Sequence, residues 1–153
     1  MKRNRIWSKT FLVTLFWKQN AHHRHGVLVH TLRVAWHAAR AGDWRMIPAA
    51  LLHDIGKPVV AYQKPEDVEK GEYSFTNHEE ISYRLIRKWP FLGDYTKSLV
   101  RWHYLIRDIR KHETKKPTRA AVKKKKWQRL SPRLQRDLAR FLRYDDLAKG
   151  KRK

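Results

Sequence analysis

Ala49-Ala50-Leu51-Leu52-His53-Asp54-Ile55-Gly56-Lys57-Pro58 decides how this chain is read. An apolar helical run delivers an imidazole and a carboxylate side by side, and a glycine and a proline then stop the helix. Imidazole nitrogen and carboxylate oxygen are the donors that zinc, iron, manganese and nickel take. Neighbours on a helix point about 100° apart, since a turn takes about 3.6 residues. His53 and Asp54 therefore reach one ion only where the helix ends, and Gly56 and Pro58 supply that end. Lys57 is placed to meet an anion held by such an ion. Alone, the dipeptide is more often a helix terminus satisfied by backbone groups, so the rest of the chain decides.

Outward from this stretch the chain carries further donors in order. His30 lies in Val27-Leu28-Val29-His30-Thr31-Leu32-Arg33-Val34-Ala35, His78 in Phe75-Thr76-Asn77-His78-Glu79-Glu80-Ile81, and His103 in Leu99-Val100-Arg101-Trp102-His103. Asp145 closes the series in Arg143-Tyr144-Asp145-Asp146-Leu147-Ala148. Spacing alone does not gather six donors from four helices into one site. The ordered set resembles the HD-domain superfamily of metal-dependent phosphohydrolases. Locally it is similar to the HD region that follows the catalytic head of some bacterial tRNA nucleotidyltransferases, here as a stand-alone domain. The likeness runs from about His23 to Trp102 and returns near Tyr144.

The resemblance implies that His30, His53, Asp54 and Asp145 bind one metal. It further implies that His78 and His103 complete a second site, with Asp54 bridging. The cofactor it implies is one or two divalent ions from among Mn, Fe, Co, Ni, Zn and Mg. Lys57 and Arg33 become candidate contacts to a substrate phosphate, and Glu79 a group that orients a ligand or carries a proton. The bland readings are surface charge for the two cations and helix capping for Glu79. Nothing in the chain matches a nucleotidyltransferase head, and no Gly-Tyr-Pro motif follows the histidines. The family usually has a small residue where Tyr144 stands. Either Asp145 or Asp146 fits the last motif, and Asp145 is taken.

Composition sets the bounds. The chain has 153 residues, 41% of them hydrophobic, with seven tryptophans, which suits one folded domain with a substantial core. The absence of cysteine removes disulfides, thiolate zinc sites and thiol nucleophiles, and agrees with a reducing, cytoplasmic setting. Phe11 to Trp17 is the most apolar run, far short of the roughly 20 residues that span a membrane. No cleavage site follows it, so Asn4 to Lys18 is read as an N-terminal helix. Basic residues outnumber acidic ones by 36 to 14, a net charge of +22. The surplus is concentrated: residues 101–153 hold 20 of the basic and 5 of the acidic residues. Such a segment favours polyanions, although a solvated basic surface is the plain alternative.

Taken in order, the patterning is helical throughout. A loop with His22, His23 and His25 precedes a helix from Val27 to Ala41, ended by Gly42 with Val27, Thr31, Val34 and Ala38 facing the core. His37 can pack near the site. Asp43 is expected to cap a helix from Trp44 to His53, with Pro48 kinking it or breaking it after Ile47. Ile55 to Thr76 reads as a long solvated connection bordering the site, with Tyr62 and Tyr73 able to stack on a base. Thr76 is expected to cap a helix carrying His78, with Ile81, Leu85 and Ile86 inward. Asp94 to Ile106 is the next helix, Asp108 to Lys116 a polar link, and Arg119 to Leu130 a basic helix. Ser131-Pro132 opens the last helix, with Asp145 just past its apolar stripe. No strand pattern or repeat appears. The expected fold is all-α: a single HD-type bundle of six or seven helices, with a basic segment at about 115–153.

Three functions fit. The first is a metal-dependent phosphohydrolase or phosphodiesterase acting on a nucleotide or nucleic-acid phosphate ester. The second is a di-iron oxygenase of the same superfamily, and the third a metal-containing polyanion-binding module without turnover. Lys57 and the basic surface favour the first. Weak, sequence-independent RNA or DNA binding is expected from the basic C-terminal third, with Trp127 as a stacking surface.

Overall fold

The computed structural model describes residues 26–150. The expected helix from Asn4 to Lys18 and the histidines His22, His23 and His25 lie outside the described residues. Every regular element is a helix, and the one extended pairing among the described residues is an isolated bridge between Tyr62 and Ser74. Among the described residues six helices have nine residues or more. The all-α bundle is therefore observed.

Helix α1 spans Val27–Arg40 and buries Val27, His30, Thr31, Val34, Ala35 and Ala38, a stripe recurring every three or four residues. It ends at Gly42, whose φ of 78° is the left-handed conformation that glycine adopts without strain. A 3-10 turn over Trp44–Met46 then leads into α2, Ile47–Leu52. The expected single helix is thus divided one residue earlier than the sequence suggested. Pro48 sits in the first turn of α2, where its missing N–H is harmless. Asp43 does not cap this turn. Its carboxylate instead accepts from Tyr144 at 2.5 Å and Arg140 at 2.8 Å, tying the turn to the last helix.

The connection after Asp54 is more ordered than a solvated loop. It contains α3, Lys57–Val60, and α4, Pro65–Val68. Tyr62 and Ser74 exchange backbone hydrogen bonds across it at 3.1 and 2.9 Å, and the Asp67 carboxylate accepts from the Ser74 hydroxyl. Helix α5, His78–Ile86, follows Asn77, which holds φ at 59° and makes no side-chain cap. Thr76 does not cap it either, because its hydroxyl pairs with that of Tyr62 at 3.0 Å.

Helix α6 runs Asp94–Trp102 and α7 runs Leu105–Glu113. The expected helix to Ile106 is therefore broken at His103 and Tyr104, and the expected polar link is largely helical. Leu105, Ile106 and Ile109 give α7 an inward stripe, and His112 pairs with Asp108 one turn back at 3.1 Å. Helix α8 is Pro117–Gln128 and α9 is Pro132–Ala148. Ser131 caps α9 by accepting from the Leu134 amide at 3.3 Å. Because α9 continues to Ala148, Asp145 lies inside its last turns, on the face that buries Phe141, Tyr144 and Ala148.

Val34, Ala38, Ala49, Ala50, Ile86, Leu99, Val100, Leu138 and Phe141 form the fully buried core. Small residues on α1 and α2 let those backbones approach closely beneath the His53-Asp54 turn. Gly56 makes the tightest approach. A Cβ there would meet the His78 carbonyl oxygen and the Ser82 amide nitrogen at 2.6 Å each. The Gly56 amide donates to the Ser82 hydroxyl at 2.9 Å, which locks the turn onto α5. Its φ of −78° is open to any residue, so space and not backbone conformation requires glycine here. Gly56→Ala is expected to destabilise the protein by about 3 kcal/mol or more, because rigid backbone must move. Ser131→Ala should cost only about 1 kcal/mol. Chemical denaturation of both variants checks this ranking, and equal losses would refute it.

Candidate metal centre

Six parts of the fold deliver polar side chains to one buried point. His30 comes from the middle of α1, and His53 and Asp54 from the turn that leaves α2. Lys57 opens α3, His78 opens α5, His103 sits at the break before α7, and Asp145 comes from α9. All seven are buried, with His30, His53 and Asp54 at 1% exposure. His53, His78 and His103 share one local geometry. Each Nδ1 hydrogen-bonds the carbonyl three residues earlier: Ala50 at 2.7 Å, Phe75 at 2.9 Å and Val100 at 2.8 Å. A carbonyl only accepts, so each Nδ1 bears a proton, and in its neutral form each ring turns an Nε2 lone pair inward.

The carboxylate of Asp54 is the hub. Its Oδ2 stands 3.2 Å from His53 Nε2, 3.7 Å from His30 Nε2 and 2.7 Å from Lys57 Nζ. Its Oδ1 stands 3.4 Å from His78 Nε2 and 3.9 Å from His103 Nε2. The two oxygens thus face two groups of donors. Asp145 Oδ1 lies 2.7 Å from His30 Nε2 and 4.0 Å from His53 Nε2. Among the described residues, His30, His53 and Asp145, and again His53, Asp54 and His103, bring donor atoms within 4.8 Å of one another.

Electrostatics follow from burial and this crowding. Burial penalises the Asp54 carboxylate, but His53 and Lys57 more than offset it and hold its pKa well below the usual range. Asp145 is likewise held well below, with His30 and Arg107 outweighing its burial. Burial pushes His78 down to about 4 and His103 well below its ordinary value. Burial also lowers His30, whereas at His53 it is overcome by Asp54 and the pKa rises.

The donor set fits a divalent ion. His78 Nε2 and His103 Nε2 face each other at 3.2 Å. With both protons on Nδ1, neither nitrogen can donate, and two lone pairs confront one another. A cation between them resolves that conflict: two ligands at about 2.0–2.1 Å on a tetrahedral ion stand roughly 3.3 Å apart. His53 Nε2 and Asp54 Oδ2 are also buried with no well-directed hydrogen bond. Neutral, desolvated imidazoles are the ligand form that metals require.

The remaining expected residues fall as follows. Glu79 lies beside the centre, its Oε2 3.5 Å from His78 Nδ1, and burial raises its pKa. Arg33 donates through Nε to the Ala148 carbonyl at 3.2 Å, which ties α1 to the end of α9. His37 stacks edge-on against Trp36 and does not join the cluster. Asp146 points outward, its side chain half exposed. Arg107 was not singled out by sequence. One of its nitrogens binds both Asp145 and, at 2.8 Å, Asp146. It stands one turn after His103, a spacing that could have flagged it. Tyr104 was also missed, and its ring lies 5.2 Å from that of His78.

The family model of the HD domain matches residues 27–145. No curated protein and no solved structure matches the chain. A cation that binds this centre stabilises the fold by mass action, about 2.7 kcal/mol at a hundredfold excess over its Kd. Melting with and without Mn, Fe, Co, Ni or Zn is expected to show a rise of roughly 10 °C for at least one ion. Identical melting with every ion would contradict the reading of the cluster.

Proposed function

The chain belongs to the HD domain family, a superfamily of metal-dependent phosphohydrolases, and from that membership we propose that it hydrolyses a phosphate ester of a nucleotide or nucleic acid. The observation that supports this reading is the buried Asp54 carboxylate, with one oxygen toward His30 and His53 and the other toward His78 and His103. In the proposal His30, His53, Asp54 and Asp145 would hold one divalent ion, and His78 and His103 together with Asp54 would hold a second. Bound there, the metal supplies Lewis acidity, lowering the pKa of water and polarising a phosphoryl oxygen.

The protein's own groups supply the rest. Hydrolysis joins the oxygen of water to phosphorus and breaks the bond to the leaving oxygen, which takes up a proton. Glu79, with its raised carboxyl pKa, carries the proton that water gives up. Lys57 stays beside Asp54 and offsets negative charge on the phosphoryl group. Arg33 is a more remote phosphate contact, through the N–H groups left over from its Ala148 bond. Arg107 orients Asp145 by holding it from the side opposite His30.

The likeness of the HD motifs to those of tRNA nucleotidyltransferases makes nucleotide and RNA-end phosphates the first substrates to test. Turnover is expected with one or more nucleotides or model phosphodiesters once metal is supplied. Asp54→Asn keeps the shape of the side chain and should lower kcat by about 10³-fold or more, the loss of several kcal/mol of transition-state stabilisation. Wild-type turnover in that variant would place the chemistry elsewhere. Phosphate release under anaerobic conditions with redox-inert Zn or Mg separates hydrolysis from the oxygenase alternative. Metal uptake without turnover on any such substrate favours the binding module.

A further inference from the structure

Helices α5, α6, α7 and α8 enclose a groove of about 390 Å³ beside the metal centre. Glu79 and Trp102 line it, and they are the chain neighbours of His78 and His103. Lys123 and Lys126 of α8 form the opposite side. Arg119 precedes them at helical spacing on the same face, so the three cations span about 10 Å of helix, more than a single phosphate group occupies.

Two of the groove's cations have donors to spare. Lys126 is exposed and makes no ion pair among the described residues. Arg101 is held over the Tyr83 ring at 4.6 Å and the Trp102 ring at 4.9 Å. It reaches Glu80 only at 3.8 Å, and its Nε is buried without a hydrogen-bond acceptor. A guanidinium fixed in orientation by two rings is a ready contact for phosphate. Lys123 is positioned by Asp108 at 2.5 Å, and Lys124 turns away to Glu113. Trp127, expected as a stacking surface, packs on the core instead, so this groove reads phosphates and not bases through that residue.

We propose that the groove binds single-stranded nucleic acid and presents one of its phosphates to the metal centre. The proposal rests on the hydrolase reading and names its substrate class: a polynucleotide strand in preference to a free mononucleotide. The test is fluorescence anisotropy of the metal-free full chain with a labelled strand of about ten nucleotides, RNA in one arm and DNA in the other, across a salt series. Affinity is expected to fall with a log–log slope of about −2 or steeper, near 0.7 per neutralised phosphate. Lys126→Gln and Arg101→Gln should each weaken binding and flatten the slope by about 0.7–1, while Lys115→Gln and Lys116→Gln leave both unchanged. Equal effects from both pairs of variants mean diffuse charge and overturn the groove. So does preferential binding to anionic phospholipid vesicles. A chain that binds the strand as described but releases nothing from it once metal is supplied keeps the groove and loses the hydrolase reading. One that hydrolyses mononucleotides yet binds no strand keeps the hydrolase and loses the groove.

Discussion

A carboxylate at 1% exposure is what the fold must accommodate. Taking a charge out of water costs several kcal/mol unless partners surround it. Asp54 finds Lys57 one turn ahead and imidazoles from α1, α2, α5 and the break before α7. No local segment can provide such a set, so the charge is tolerable only when the helices have docked. The metal centre and the tertiary fold are therefore one requirement. The tight seat of Gly56 on α5 carries it out, since it brings the turn bearing His53 and Asp54 against the helix that His78 opens.

Beneath the polar cluster lies an apolar base. The Phe141 ring meets those of His53 and His103 edge-on, with centroids 5.5 and 6.4 Å apart. Leu138 and Ile86 fill the core below. Such surroundings weaken screening and strengthen each interaction within the cluster. The positive surplus is kept elsewhere: the exposed lysines of α8 remain in solvent, where charge is cheap. The described residues thus combine a low-dielectric interior with a strongly charged face.

Much of this was legible in the sequence because it depends on local pattern. The stripe of α1, the glycine that ends it, the serine cap of α9 and the order of the histidines all follow from spacing. Helix boundaries in the middle of the chain were less so. Asp94 to Ile106 reads as one helix and Asp108 to Lys116 as a polar link, whereas the chain breaks at His103 and Tyr104 and is helical again over Leu105–Glu113. Asp43 and Thr76 look like caps, but each found a tertiary partner that a sequence window does not contain. Gly56 was read as a helix terminator, and its actual reason is an atom of another helix. Arg107 escaped notice because it follows His103 within what looked like polar surface, and its partners lie on α9, far along the chain. The resemblance to a family supplied what spacing could not, namely which of the scattered donors meet.

The shared geometry of three histidines bears on how such a centre tolerates change. Their Nδ1 acceptors are main-chain carbonyls of Ala50, Phe75 and Val100. Every amino acid carries that carbonyl, so substitution at those three positions leaves the ring's proton where it is. Where a side chain serves as the acceptor, a point mutation can reassign the tautomer; here only a change of backbone path can. The inward-facing nitrogen of each ring is thus written into chain geometry and not into residue identity. Packing still constrains Ala50 and Val100, but the aim of the donor set does not depend on which side chain stands at these positions.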